Sequence, residues 1–128
     1  MPRRLLVALA VAGSAFAASC SEEGIELAKT DPDYEGAKIF QQRCSGCHTL
    51  AAAGTEGSAT NPNDREYKDG PNFNQRKEKK DQVLYAIENG GFSSGPMPQD
   101  IVVGEEAEKV ADFVAKYSGR EVSAAPTP

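Results

Sequence analysis

Cys44-Ser45-Gly46-Cys47-His48 is the stretch around which this chain is organised. Two thiols three positions apart reach two vinyl groups of one porphyrin, and the adjacent imidazole lands beneath its iron. The CxxCH spacing therefore reads as covalent attachment of one c-type haem. A structural zinc site would need a fourth soft or imidazole ligand, and no second cysteine or histidine cluster follows His48. A thioredoxin-like dithiol would open a helix after a strand in a βαβ pattern, and no such alternation precedes Cys44.

Downstream, the sixth ligand of an iron can be sought by elimination. His48 is the only histidine, so two histidines from one chain cannot share the metal. The two methionines are Met1, which a leader would carry away, and Met97. A thioether ligand must then be Met97, set in the stiff loop Gly95-Pro96-Met97-Pro98.

Helical signals flank these residues. Asp31 and Pro32 read as a cap followed by a first-turn proline, opening a helix that runs through Gly36 and Phe40 to about Arg43. Ala37 and Phe40, flanked by Tyr34 and Ile39, give it an apolar stripe. Gly36 inside a helix costs about 1 kcal/mol relative to Ala, which is tolerated where another helix crosses closely. The crossing partner is expected at Glu105 to Tyr117, where Ala107, Val110, Val114 and Tyr117 recur on one face beside Phe113. Glu105 and Glu106 suit its positive first turn, and Gly119 follows as a stop. Another helix is expected from Lys79 to Asn89, carrying Val83, Leu84 and Ile87 and ending at Gly90-Gly91. No stretch alternates as a strand does. Residues 49–69 are long and polar, without secondary structure by pattern. Asn61-Pro62-Asn63-Asp64 fits no recognised calcium loop.

The ends read differently. Residues 1–19 have a basic start at Arg3-Arg4, an apolar run from Leu5 to Ala12 and a small-x-small site at Ala15-Phe16-Ala17, the form of a signal peptide. The apolar run is too short to span a bilayer. Cys20 is an odd thiol in an exported chain. Phe16-Ala17-Ala18-Ser19-Cys20 is similar to a bacterial lipoprotein box, with Ala17 where Leu is preferred. That resemblance implies lipidation of Cys20 and attachment to the outer face of the cytoplasmic membrane; cleavage after Ala17 or Ala18 would instead leave a periplasmic protein. Residues 20–31 read as a tether, 32–119 as the single domain and 120–128 as a loose tail.

Of 128 residues, 14 are basic and 19 acidic; losing Arg3 and Arg4 with the leader leaves 12 against 19, a net of −7. Nucleic acid is excluded as a partner. The surplus serves solubility or an acidic face that meets a basic redox partner.

Taken together these motifs resemble a class I (monohaem) cytochrome c. Gly36-Ala37-Lys38-Ile39-Phe40 leading into Cys44 to Thr49 is similar to the family's first helix and haem motif. Gly70-Pro71-Asn72-Phe73 is similar to its GPNL segment, Ile87-Glu88-Asn89-Gly90 to the helix before its Met loop, Pro96-Met97-Pro98 to that loop, and Val110-Ala111-Asp112-Phe113 to its last helix. The resemblance covers Asp33 to Ser118. It implies an all-α cytochrome c fold, three main helices plus loops around one covalent haem c, with the first and last helices crossing at Gly36 and Phe40. It implies further that the Pro71 carbonyl accepts a hydrogen bond from the His48 nitrogen that does not bind iron. The expected activity is one-electron transfer by a monomer that transforms no substrate itself, passing electrons between redox partner proteins such as a terminal oxidase. A permanent haem subunit of a dehydrogenase or oxidase, or an open-iron protein binding gas or peroxide, are the alternatives. The departures are the long 49–69 segment and Phe73 in place of Leu.

Overall fold

A computed structural model of the chain describes residues 24–121. Three helices dominate: α1 (Tyr34–Cys44), α2 (Lys80–Asn89) and α3 (Glu105–Tyr117). The last two match the sequence expectation to within a residue. The first starts later than expected. Asp31 does not cap it; the Asp31 carboxylate accepts the Asp33 amide at 2.8 Å, and its carbonyl accepts the Tyr34 amide at 3.0 Å. Asp31-Pro32 is thus a turn closed by its own side chain, and α1 begins after Asp33.

α1 and α3 cross where Gly36 removes a side chain. A Cβ there would fall on the Lys109 carbonyl and within 2.9 Å of the Phe113 Cβ. The absence of that atom brings Phe40 and Phe113 together, their ring centroids 6.0 Å apart and tilted by 59°. Both rings are almost fully buried, with Val110 and Val114 beside them. The open end of the crossing is tied by an ion pair from Lys116 to Asp33. α2 is pinned to α3 by Lys80, whose ammonium lies 2.8 Å from both the Glu108 and Asp112 carboxylates.

The segment 49–69 is not the unstructured stretch expected. Two short strands, β1 (Thr49–Leu50) and β2 (Thr55–Glu56), pair antiparallel. Two single-turn 3₁₀ helices accompany them, Ala51–Ala53 and Pro62–Asp64. Side chains hold this region more than pattern does. The Leu50 amide donates to Thr55 Oγ1 at 2.9 Å, and Thr49 and Ser58 exchange three hydrogen bonds of 2.8 to 3.1 Å. Strands of two residues are too brief for alternation to reveal. The Asn61 side chain accepts the Asn63 amide at 3.0 Å, so Asn61-Pro62-Asn63-Asp64 is a capped turn.

At the far end of the segment, Asp69 is a hub. Its carboxylate accepts the Ala59 and Glu66 amides at 3.0 and 3.2 Å and the Lys68 ammonium at 2.7 Å. Lys68 foremost, then the two amides, hold its pKa down from 3.8 to about 2.

The described parts of both expected termini lie on the domain. In the tether, Ile25 and Leu27 pack against the core and the Glu26 amide donates to the Ala52 carbonyl at 3.1 Å. In the tail, the Glu121 amide donates to the Asn74 carbonyl at 3.1 Å. The signal peptide and Cys20 lie outside the described residues.

Gly36→Ala gains helix propensity yet lowers unfolding free energy by about 1–3 kcal/mol, because the added methyl overpacks the crossing; urea titration of the haem-loaded protein reads this, and an unchanged or raised midpoint would contradict it. For Asp69, the folded pKa lies below the unfolded one, so the order it confers is complete above 3.8 and lost as pH falls toward about 2. Amide exchange at Ala59 and Glu66 accordingly stays slow down to that window, and in Asp69→Asn it is fast at neutral pH.

Candidate haem site

The CxxCH loop folds as it does because α1 ends inside it. The amides of Cys47 and His48 both return to the Cys44 carbonyl, at 3.2 and 3.0 Å. Cys44 and His48 are thereby one turn apart and face the same side.

His48 is then clamped from three directions. Its Nδ1–H donates to the Pro71 carbonyl at 3.0 Å. Phe73 stacks on the ring at 4.7 Å with planes 8° apart. Gly70 passes so close that a Cβ would come within 2.6 Å of Nδ1 and 2.8 Å of Nε2. Backbone bonds hold this strip of chain in register: the Gly70 amide donates to the Cys47 carbonyl at 2.8 Å, and the Phe73 amide to the Thr49 carbonyl at 2.8 Å. Burial, above all, lowers the His48 pKa; the Pro71 carbonyl and Glu78 act against it, and Arg76 with it. The imidazole is therefore neutral, with Nδ1 committed and the Nε2 lone pair available to a metal.

The cleft in front of His48 has two lobes, of about 320 and 90 Å³. The outer lobe alone lies within the range of about 300–1,000 Å³ usual for small-molecule sites. Cys44, His48, Pro71 and Met97 line both lobes, and Cys47 lines the outer one. All five residues expected from the sequence to serve the haem domain therefore meet in one place. Phe40, Phe73, Val83, Val110 and Val114 make the inner lobe apolar, which suits the body of a porphyrin.

Met97 is placed by the turn after α2. The Gly91 amide returns to the Ala86 carbonyl at 2.8 Å, and the Asp100 amide donates to the Ile87 carbonyl at 2.8 Å, so both ends of the Met loop are fastened to α2. The Cys44 thiol is pushed up to about 12, by burial first and then by Cys47. Among the described residues no group of three His, Cys, Asp or Glu side chains could hold a metal ion.

Sequence reasoning did not single out Gly70, or the buried Glu78 with Arg76 in the inner lobe. Gly70 was legible only as part of a motif. Glu78 was hidden by its neighbours, because Lys77-Glu78-Lys79-Lys80 reads as a solvated charge run.

Fold and cleft together define a small all-α protein built to enclose a covalently attached haem. The Cytochrome c family model matches residues 34–118, and the chain belongs to that family. It is a class I c-type cytochrome, carrying haem c and serving haem-based electron transfer. Among solved structures the chain is similar to the c-type cytochrome SorU from Sinorhizobium meliloti, at 34% identity over 68% of this chain and 91% of that one, with a TM-score of 0.49. No curated protein sequence matches the chain.

Gly70→Ala tests the clamp. The methyl would displace His48 from Pro71, and the expected result is a severalfold loss of haem-loaded protein, with holoprotein stability lowered by about 1–3 kcal/mol. Normal loading and stability would show that the close approach is not needed.

Proposed function

We propose that this protein is a one-electron carrier in which His48 and Met97 are the axial ligands and Cys44 and Cys47 the thioether attachments of its haem. The observation that carries the reading is the shared cleft: a neutral imidazole with its Nε2 uncommitted and the chain's only described methionine line the same two lobes as Cys44. When bound, the haem supplies a reversible one-electron couple, and a His/Met ligand pair raises its potential.

The chain's own part is to hold and to exclude. Pro71 fixes the His48 tautomer and orientation and makes the imidazole a better donor. The Met loop, fastened at both ends to α2, presents a soft thioether on a short tether of backbone. Phe40, Phe73 and Val110 give the inner lobe an apolar wall that would lie against the porphyrin, so on that side little solvent reorganises when charge changes. A site in which both axial bonds persist leaves no open position for a substrate, which is why we read the protein as a carrier and not an enzyme.

The carrier works outside the cytoplasm, exported by residues 1–19 and, in this proposal, anchored through a lipid on Cys20. Its partners are redox proteins, a terminal oxidase among the acceptors that suit a high-potential donor. The exposed side of α3 carries Glu105, Glu106, Glu108 and Asp112 beside Lys109 and Lys116, with Lys80 paired to Glu108 and Asp112, whereas Arg43, Arg65 and Lys68 line the outer lobe with one acid, Asp69. The mouth of the cleft is thus basic, and an acidic meeting face does not include it.

Visible spectra of the purified protein, with and without carbon monoxide, test the ligation. The wild type should show the weak far-red band of ferric iron bonded to methionine sulfur and should not bind carbon monoxide when reduced. Met97→Ala should lose the band and bind the gas. A wild type without the band that binds carbon monoxide readily would replace the carrier with gas or peroxide chemistry.

A further inference from the structure

Of the charge run Lys77-Glu78-Lys79-Lys80, the fold turns one member inward. Glu78 is only 5% exposed, while Lys77 and Lys79 stay in solvent. The cause is a tertiary contact: the Glu78 amide donates to Ser118 Oγ at 3.0 Å, and the Gly119 amide to the Phe73 carbonyl at 2.7 Å, so this strip of backbone is laced to the end of α3.

The inward carboxylate lines the inner lobe of the cleft together with His48 and Met97. Arg76, half exposed, reaches the same lobe, and its Nε forms an ion pair with Glu78 Oε1. The approach is not aligned as a hydrogen bond. Oε1 is therefore a buried acceptor without a hydrogen-bond donor among the described residues. Among those residues, Arg76 and Glu78 are the only Asp, Glu, Lys or Arg side chains lining this lobe; Gln82 is its neutral polar member. With Glu78 buried and Arg76 half exposed, such a pair adds little to stability. Stability does not account for it.

His48 lines the same lobe as both charges. A carboxylate there favours, and a guanidinium opposes, added positive charge on the imidazole side of the lobe. The same signs apply to positive charge on a metal that the imidazole holds.

We propose that Glu78 sets the reduction potential of the haem, holding it down by favouring the ferric state from the inner lobe, and that Arg76 partly offsets it. The inference rests on the ligand reading above. Because Glu78 touches neither thioether nor axial ligand in that reading, its role is to place a charge, and a potential is the readout that a purely structural role would leave unmoved.

Spectroelectrochemical titration of the haem-loaded wild type, Glu78→Gln and Arg76→Gln at neutral pH tests it. Glu78→Gln should shift the ferrous to ferric ratio at fixed solution potential by roughly tenfold toward ferrous, about 59 mV for a one-electron couple. Arg76→Gln, at a half-exposed side chain that the fold can spare, should move it the other way. Both variants should keep the far-red band of the wild type. An intact band with a ferrous to ferric ratio within twofold of wild type in Glu78→Gln, or a downward shift of the potential, overturns the proposal while leaving the ligand reading in place. Loss of the band in Glu78→Gln overturns it as well, because the carboxylate then shapes the site. If Glu78→Gln does not load haem, Arg76→Gln decides alone, and an unchanged or raised potential there overturns it. A wild type lacking the band overturns the ligand reading, and this proposal with it.

Discussion

The hold on His48 is the constraint from which the rest of the site follows. A five-residue loop cannot fix an imidazole by itself; it supplies the position, and a second strip of chain, Gly70 to Phe73, supplies the orientation through one hydrogen bond, one ring stack and one close approach. That strip is in turn held to Cys47 of the CxxCH loop and to Thr49 just beyond it by the Gly70 and Phe73 amides, and to the end of α3 by the Gly119 amide, which donates to the Phe73 carbonyl. The imidazole is thus braced against the whole domain. Its Nδ1 is engaged, its burial keeps it neutral, and its remaining nitrogen faces a cleft large enough for a prosthetic group.

A small domain has little apolar surface to bury. Here the side chains that would ordinarily fill the centre of the bundle line a cleft instead. Phe40, Val110 and Val114 serve the α1–α3 crossing on one side and the inner lobe on the other. The prosthetic group is part of the core in this sense.

What the sequence disclosed follows how local each signal was. CxxCH, the lone Met97 loop and the three apolar stripes are local patterns with a direct physical meaning, and each lies where its pattern places it. The start of α1 was misread because Asp31 can satisfy an amide two residues on as readily as it can cap a helix. Residues 49–69 looked empty because their order comes from Thr49, Thr55, Ser58 and Asp69 bonding across distances that no periodicity records. Glu78 was invisible for the same reason: its burial is decided by Ser118, 40 positions away.

Iron X-ray absorption of the ferric and ferrous protein bears most directly on the central claim, that both His48 and Met97 stay on the metal while the electron comes and goes. The account predicts a shell of nitrogens plus a single sulfur in both states, with hardly altered distances. A sulfur missing from either state would contradict it.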